Sequence, residues 1–321
     1  MKKIINVPEN VVEEMLQGVV LAHPEYVKRV DGFNVIVRAD KGDKVALVSG
    51  GGSGHEPAHG GFVGLGMLDG AVAGAVFTSP TPDQVFEAIK AVDSGKGVLL
   101  VIKNYTGDVM NFEMAAEMAA AEGINVEKVI VDDDVAVENS TWTIGKRGIA
   151  GAKAEAGGSL SEVQGIAQKV VDNVASMGMA LAPCTVPAAG KPSFELAEDE
   201  VEIGMGIHGE PGTHREKISS ADEITAHLMD KIFGNLTLNT GDEVAVLVNG
   251  LGATPLMELY IANKKVAELL AAKGVKTVKT YVGNYMTSLE MAGFSVSILK
   301  VDEELKGLLF ATADTPAFVQ K

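Results

Sequence analysis

The sequence predicts an α/β protein of two related domains, each a mostly parallel or mixed sheet flanked by helices, and three observations carry that prediction. Short β-branched runs alternate with amphipathic stretches of helical period along the chain. The 37 glycines gather in short clusters behind apolar runs rather than in repeats, which marks loops built for a purpose. The length, 321 residues, suits two domains of ~100–200 residues each. Two segments also echo one another, VALVSGGGSG at 45–54 and VAVLVNGLGA at 244–253, each reading as apolar strand, Gly-rich turn and helix.

Taken in order, strands are expected at 44–48, 71–77, 97–102 and 128–131, then at 200–207, 243–248, 276–282 and 294–300. Helices are expected at 10–22, 82–92, 109–121, 161–176, 221–232 and 255–272, where apolar residues recur with helical period. Pro80, Pro82 and Asp83 form a helix start signal for the second of these. The Pro- and Gly-rich stretch 182–191 passes between the halves and sets the expected boundary near residue 180, giving domains 1–180 and 181–321.

Composition narrows the function. Hydrophobic residues are 46% and charged residues 22%, ordinary for a protein with a sizeable core. A formal net charge of -16 repels phosphate backbones and anionic bilayers, so neither nucleic acid nor membrane is expected as a partner. No apolar stretch reaches the ~18–20 residues that span a bilayer, and the N-terminal residues carry no signal-peptide core. Cys184 is the single cysteine, flanked by apolar residues and Pro183, and reads as a buried thiol in a cytoplasmic protein.

Three loops behind expected strands carry the polar chemistry. The first is Ser49–Pro57, SGGGSGHEP, whose glycines let backbone come close to a small polyol or ketone. His55 and Glu56 stand where a phosphate-cradling loop needs Lys and Ser or Thr, which argues against a nucleotide site. His55-Glu56-Pro57-Ala58-His59 matches the zinc-protease pattern in letters only, because Pro57 and the preceding glycines keep the two histidines off one helix face. No metal site is expected from it.

The second loop, Lys103-Asn104-Tyr105-Thr106-Gly107-Asp108, sets a cation and a carboxylate at a strand end, with Asp108 either a base or the cap of the next helix. The third, Met205–Gly212, holds His208 between glycines. Glu210-Pro211-Gly212 should block the helix that a dinucleotide fingerprint at Gly204, Gly206 and Gly209 would require. A neutral imidazole there, with an ordinary pKa of ~6.5, is a competent nucleophile toward a carbonyl. Asp132-Asp133-Asp134 reads as a solvated turn, His23, His214 and His227 as surface residues, and Trp142 and the methionines as core.

With SGGGSGHEP, FTSPTPD, KNYTGD, DDDVAVENS, TVPAAGKPSF, GIHGEPG and NGLGATPL in one order, the chain resembles the dihydroxyacetone-binding (K) subunits of dihydroxyacetone kinases from about Asn6 to beyond Lys300. The resemblance implies that His208 adds to the substrate carbonyl as a covalent hemiaminal. It implies that Asp108 and His55 receive the proton of the reacting hydroxyl, and that Gly52, Ser53, Gly54, His55, Lys103 and Asp108 bind substrate. It implies a cytoplasmic homodimer with no tightly held cofactor, served by a separate helical, nucleotide-binding L subunit that carries ADP and Mg²⁺ and is recharged by the phosphotransferase system. A sensor paralogue that co-activates a transcription regulator is the alternative. The chain departs from the family between Gly151 and Ala154, where a further stretch of helix with a basic residue is missing.

Overall fold

The computed structural model describes residues 2–136 and 145–321, and the chain forms two compact units. Among the described residues, the first unit comprises 2–131, 145–171 and 305–321, and the second 132–136 and 172–304.

In the first unit, a 3-10 turn at Pro8–Asn10 leads into α1 (Val11–Ala22). Then follow β1 (Val27–Arg29), β2 (Val35–Arg38), β3 (Ala46–Ser53), β4 (Gly70–Val76), α2 (Pro82–Val92), β5 (Val98–Lys103), α3 (Thr106–Ala121), β6 (Val126–Val131), α4 (Gly145–Glu155) and α5 (Leu160–Val171). The strands lie in the order β1-β2-β4-β3-β5-β6; β4, β3, β5 and β6 run parallel, and β1 and β2 form an antiparallel edge. Every residue of β5 is buried, which is why VLLVI reads as an unbroken apolar run: helices cover both faces of a parallel sheet. Val48, Val72, Leu100 and Ile102 pack on one face against Phe86 and Ile89 of α2 and Phe112 of α3.

The glycine run predicted as a turn is instead the second half of β3. A Cβ at Gly50 would lie 2.5 Å from the Val72 carbonyl oxygen, and one at Gly52 would lie 2.5 Å from the Thr78 nitrogen, so β4 and its loop approach closer than any side chain permits. No helix follows β3, unlike the expectation; a loop with a 3-10 turn at Gly60–Phe62 returns the chain to β4. The echo at 244–253 does become a strand–helix unit, so the two segments share letters but not local structure.

The second unit begins with β7 (Val174–Ala182), β8 (Glu200–Ile203), β9 (His214–Lys217) and α6 (Ala221–Asn235). It continues with β10 (Glu243–Gly250), α7 (Leu256–Ala272), β11 (Lys276–Gly283), β12 (Ala292–Val301) and the start of α8 (Glu303–Leu309). The order is β11-β10-β12-β7-β8-β9; only β10 and β11 are parallel, joined by α7, and every other pairing is antiparallel. Met177, Met179, Val246 and Val296 pack against Leu228, Ile232 and Val266 of α6 and α7. The helix expected over 161–176 stops at Val171, because residues from Val174 onward pair with β12. The strand expected over 200–207 stops at Ile203.

The chain then returns to the first unit as a hairpin, β13 (Ala313–Thr315) with β14 (Phe318–Gln320). Asp314 N donates to Leu65 O (2.9 Å), Ala317 N donates to Gly61 O (2.9 Å), and the Tyr26 hydroxyl donates to Asp314 Oδ1 (2.8 Å). The division therefore differs from one cut near residue 180, since the second unit holds the stretch from residue 132 and the first holds the C-terminal hairpin. Helix α4 runs unbroken through Gly151 and Ala152, where the family resemblance implies a missing stretch. A Cβ at Gly151 would lie 2.4 Å from the Gly66 carbonyl oxygen, so the helix is seated directly on backbone there.

Candidate functional site

In the first unit the C-terminal ends of β4, β3 and β5 lie side by side, and the loops after them collect the polar residues, as open α/β sheets do. Lys103 ends β5 and Asp108 sits in the first turn of α3; they are 1% and 2% exposed, with Nζ 3.5 Å from Oδ2. The helix begins at Thr106, so Asp108 lies inside it and is not its cap. Its Oδ2 faces the lysine, while Oδ1 is buried with no hydrogen-bond donor among the described residues. An ionised carboxylate accepts at both oxygens, so Oδ1 stands ready for a hydroxyl donor.

Gly51 supports this pair: a Cβ there would lie 2.5 Å from Lys103 Nζ and 3.4 Å from His59 Nε2. His59, which the sequence offers only within the zinc-protease-like letters His55–His59, is 5% exposed. The Ser49 hydroxyl donates to Val101 O (2.7 Å), so at 3.2 Å it accepts from His59 Nδ1, which fixes the proton on Nδ1. No spacing rule would have found this residue; only the buried lysine beside it marks it.

His55 lies on the turn after β3, fully buried, with its ring stacked on Phe77 at 5.0 Å between centroids and 13° between planes. Gly54 N donates to both Glu56 oxygens at 3.1 Å. The Ser53 hydroxyl donates to Gly74 O (2.7 Å), so this predicted substrate contact has its proton engaged by the neighbouring strand. Gly52 lies against Thr78 in the loop after β4. That loop is tied to α3 by Asn111 Nδ2, which donates to Pro80 O (2.8 Å).

The second unit holds His208 on the connection between β8 and β9. Here the loop belongs to an antiparallel hairpin, not to the end of a parallel strand. Glu210 reaches back to it twice, accepting from the His208 backbone N–H (2.8 Å at Oε2) and facing its Nδ1 (2.8 Å at Oε1). Burial pushes the Glu210 carboxyl up, but the hydrogen bond and charge of His208 outweigh it and hold the group below the ordinary carboxylate value. An ionised carboxylate only accepts, so Nδ1 carries the ring proton and the in-plane lone pair resides on Nε2. Gly209 takes a positive φ of 80°, and the Ser288 hydroxyl donates to Ile207 O (2.5 Å), fixing the turn from behind.

Among the other sequence candidates, Asp133 is not solvated as expected: it is 1% exposed, with Oδ2 2.5 Å from Ser176 Oγ. Part of DDDVAVENS and all of Trp142 lie outside the described residues. Glycines 204, 206 and 209 precede β9 and not a helix. No helix among the described residues is long and apolar enough to cross a membrane.

Fold and site together define a two-unit α/β protein with a buried Lys–Asp pair at parallel strand ends and a histidine held by a glutamate on a hairpin turn. The chain belongs to the Dak1 domain family, which matches residues 17–317. It is 57% identical over 95% of both chains to the dihydroxyacetone-binding subunit of a phosphotransferase-system-dependent dihydroxyacetone kinase from Listeria innocua. Among solved structures it resembles the co-activator of a dihydroxyacetone kinase operon (37% identity, TM-score 0.92, 96% of this chain and 98% of that one). It equally resembles the dihydroxyacetone kinase of C. freundii (34% identity, TM-score 0.92, 99% of this chain and 60% of that one). Curated relatives at this level of similarity are dihydroxyacetone kinase subunits, which places the chain in a transferase system.

Proposed function

We propose that this chain is the substrate subunit of a dihydroxyacetone kinase, capturing dihydroxyacetone as a hemiaminal on His208 and offering a terminal hydroxyl for phosphorylation. The Glu210–Nδ1 contact of 2.8 Å carries this reading, because it leaves Nε2 as the unprotonated ring nitrogen. The Nε2 lone pair forms the new bond to the carbonyl carbon, and the carbonyl π pair moves to oxygen. The ring becomes cationic as that bond forms, and Glu210 stabilises its Nδ1–H. When that proton passes to the new alkoxide, the hemiaminal is neutral and no atom is left over. Glycerol has no carbonyl to attack and is rejected at this step.

Asp108 takes the proton of the reacting hydroxyl as the phosphoryl group arrives, assisted by His55, with Lys103 facing the carboxylate at 3.5 Å. Gly52, Ser53 and Gly54 supply close backbone to the bound polyol. The phosphoryl donor is a nucleotide with Mg²⁺ on a separate helical subunit, and the chain works as a cytoplasmic homodimer. A second reading, a dihydroxyacetone-binding co-activator, is supported by the 0.92 TM-score to such a protein.

Carbon NMR of carbonyl-labelled dihydroxyacetone tests the capture. The signal should move to the tetrahedral region with wild type and stay put with His208→Ala; an unmoved signal with wild type sinks the proposal. Turnover with a cognate helical subunit, against none, then separates kinase from co-activator.

A further inference from the structure

We infer that His214, Glu216 and His227 form a binding site for one divalent transition cation of the Zn²⁺ class, placed at the base of the hairpin that carries His208. The ligand atoms of these three residues all lie within 4.8 Å of one another. His214 Nε2 is 3.2 Å from Glu216 Oε2, and His227 Nδ1 is 3.7 Å from Glu216 Oε1. The two imidazole rings lie 5.3 Å apart, centroid to centroid. Bonds of ~2.0–2.2 Å to a shared ion need donor atoms ~3–3.5 Å apart, which small rotations of half-exposed side chains reach.

Strand period explains the meeting. His214 and Glu216 are two residues apart on β9, so they share the face on which their register partners Ile203 and Val201 point toward α6, the helix that bears His227. Arg215 and Lys217 alternate to the other face, where they pair with Glu202 and Asp199. The cations next in sequence are thus turned away from the site.

The tautomer of His214 is prepared for a metal. The Thr213 hydroxyl donates to Ile203 O (3.1 Å), so it accepts from His214 Nδ1 at 3.0 Å, and Nε2 is left unprotonated on the side of Glu216. Such an outer hydrogen bond fixing the ring is what metal-bound histidines ordinarily have. Two imidazoles with one carboxylate suit Zn²⁺, Ni²⁺ or Co²⁺ and not Mg²⁺ or Ca²⁺, which take oxygen sets.

The consequence follows from connectivity. β9 is the outermost strand of its sheet, and the loop between it and β8 carries His208. An ion bridging β9 to α6 would hold that loop's return strand to the body of the unit, so occupancy would set the order of the His208 turn.

The test titrates tag-free full-length chain with Zn²⁺ against a chromophoric chelator. One equivalent should bind to wild type. His227→Gln and Glu216→Gln should each weaken it by about 100-fold or more, and Thr213→Val, which keeps all three ligands, by about tenfold. Mg²⁺ should not compete. Hydrogen exchange of the amides at 214–217 should slow with Zn²⁺ in wild type only. Zinc held equally by wild type and the ligand variants, or no saturable binding at all, overturns the site. Stoichiometric binding with unchanged exchange overturns the clamp. Neither readout uses dihydroxyacetone or turnover, so failure here leaves the kinase reading standing, and failure of that reading leaves the cation site standing.

Discussion

In the first unit the polar pair is buried in a close-packed frame: Lys103 and Asp108 are 1% and 2% exposed, and the backbone of Gly51 in β3 lies directly against Lys103. In the second unit His208 keeps 18% of its side chain exposed, on a hairpin, with the glutamate two residues on holding its Nδ1. The difference follows from what each group does. A charged pair taken out of water is tolerable only where both partners are fixed opposite one another. On the proposed reading His208 must meet a carbonyl, and an accessible ring held in one orientation is what that reading requires.

Variants on the two sides should therefore fail differently. Asp108→Asn should lower turnover by ~10²–10⁴-fold while the carbonyl-labelled substrate is still captured, measured by coupled assay beside the NMR signal. Loss of capture together with turnover would mean that the two regions are not separable. Lys103→Met strands a buried carboxylate and should cost about 3–5 kcal/mol in urea unfolding. Gly52→Ala drives a methyl against the Thr78 nitrogen and should cost about 1–3 kcal/mol by the same measurement. A neutral result for either would show the frame to be softer than described.

On the hairpin the expected changes are smaller and depend on pH. Glu210 titrates below its ordinary 4.5 in the folded chain, so its contribution to stability is in place above that pH and fades as pH falls through the lower folded value. Unfolding of wild type and Glu210→Gln in parallel should give a difference that is still present at pH 4.5 and shrinks below it. A difference that already shrinks near neutrality would assign the dependence to another group. Smallest of all, Cys184 is fully buried and its thiol is pushed above its usual range by that burial, so iodoacetamide should label it only after denaturation.

Much of this was legible in the residues. The apolar runs of β5 and β10 and the helices α2 and α7 follow from period and composition, because burial on one or both faces writes itself into side-chain type. Strand β7, VASMGMALA, was not legible: Met, Ala and Gly carry no strand preference, and only pairing with β12 extends them. The edge strand β9, HREK, is polar throughout and resembles a loop in letters. The motifs singled out His55, Lys103, Asp108 and His208, and the structure shows three of them buried and the fourth on a hairpin turn. The partners that tune them, His59 and Glu210, are set by a glycine's missing side chain and by a turn geometry that no linear spacing encodes.

The hairpin of residues 313–320 has a consequence for the order in which this protein is made. Leu65, Gly61 and Tyr26 wait for Asp314 and Ala317, and the whole of the second unit is translated between them. On the ribosome the first unit cannot make these hydrogen bonds until residues 313–320 have emerged, by which time residues 172–304 of the second unit are already out.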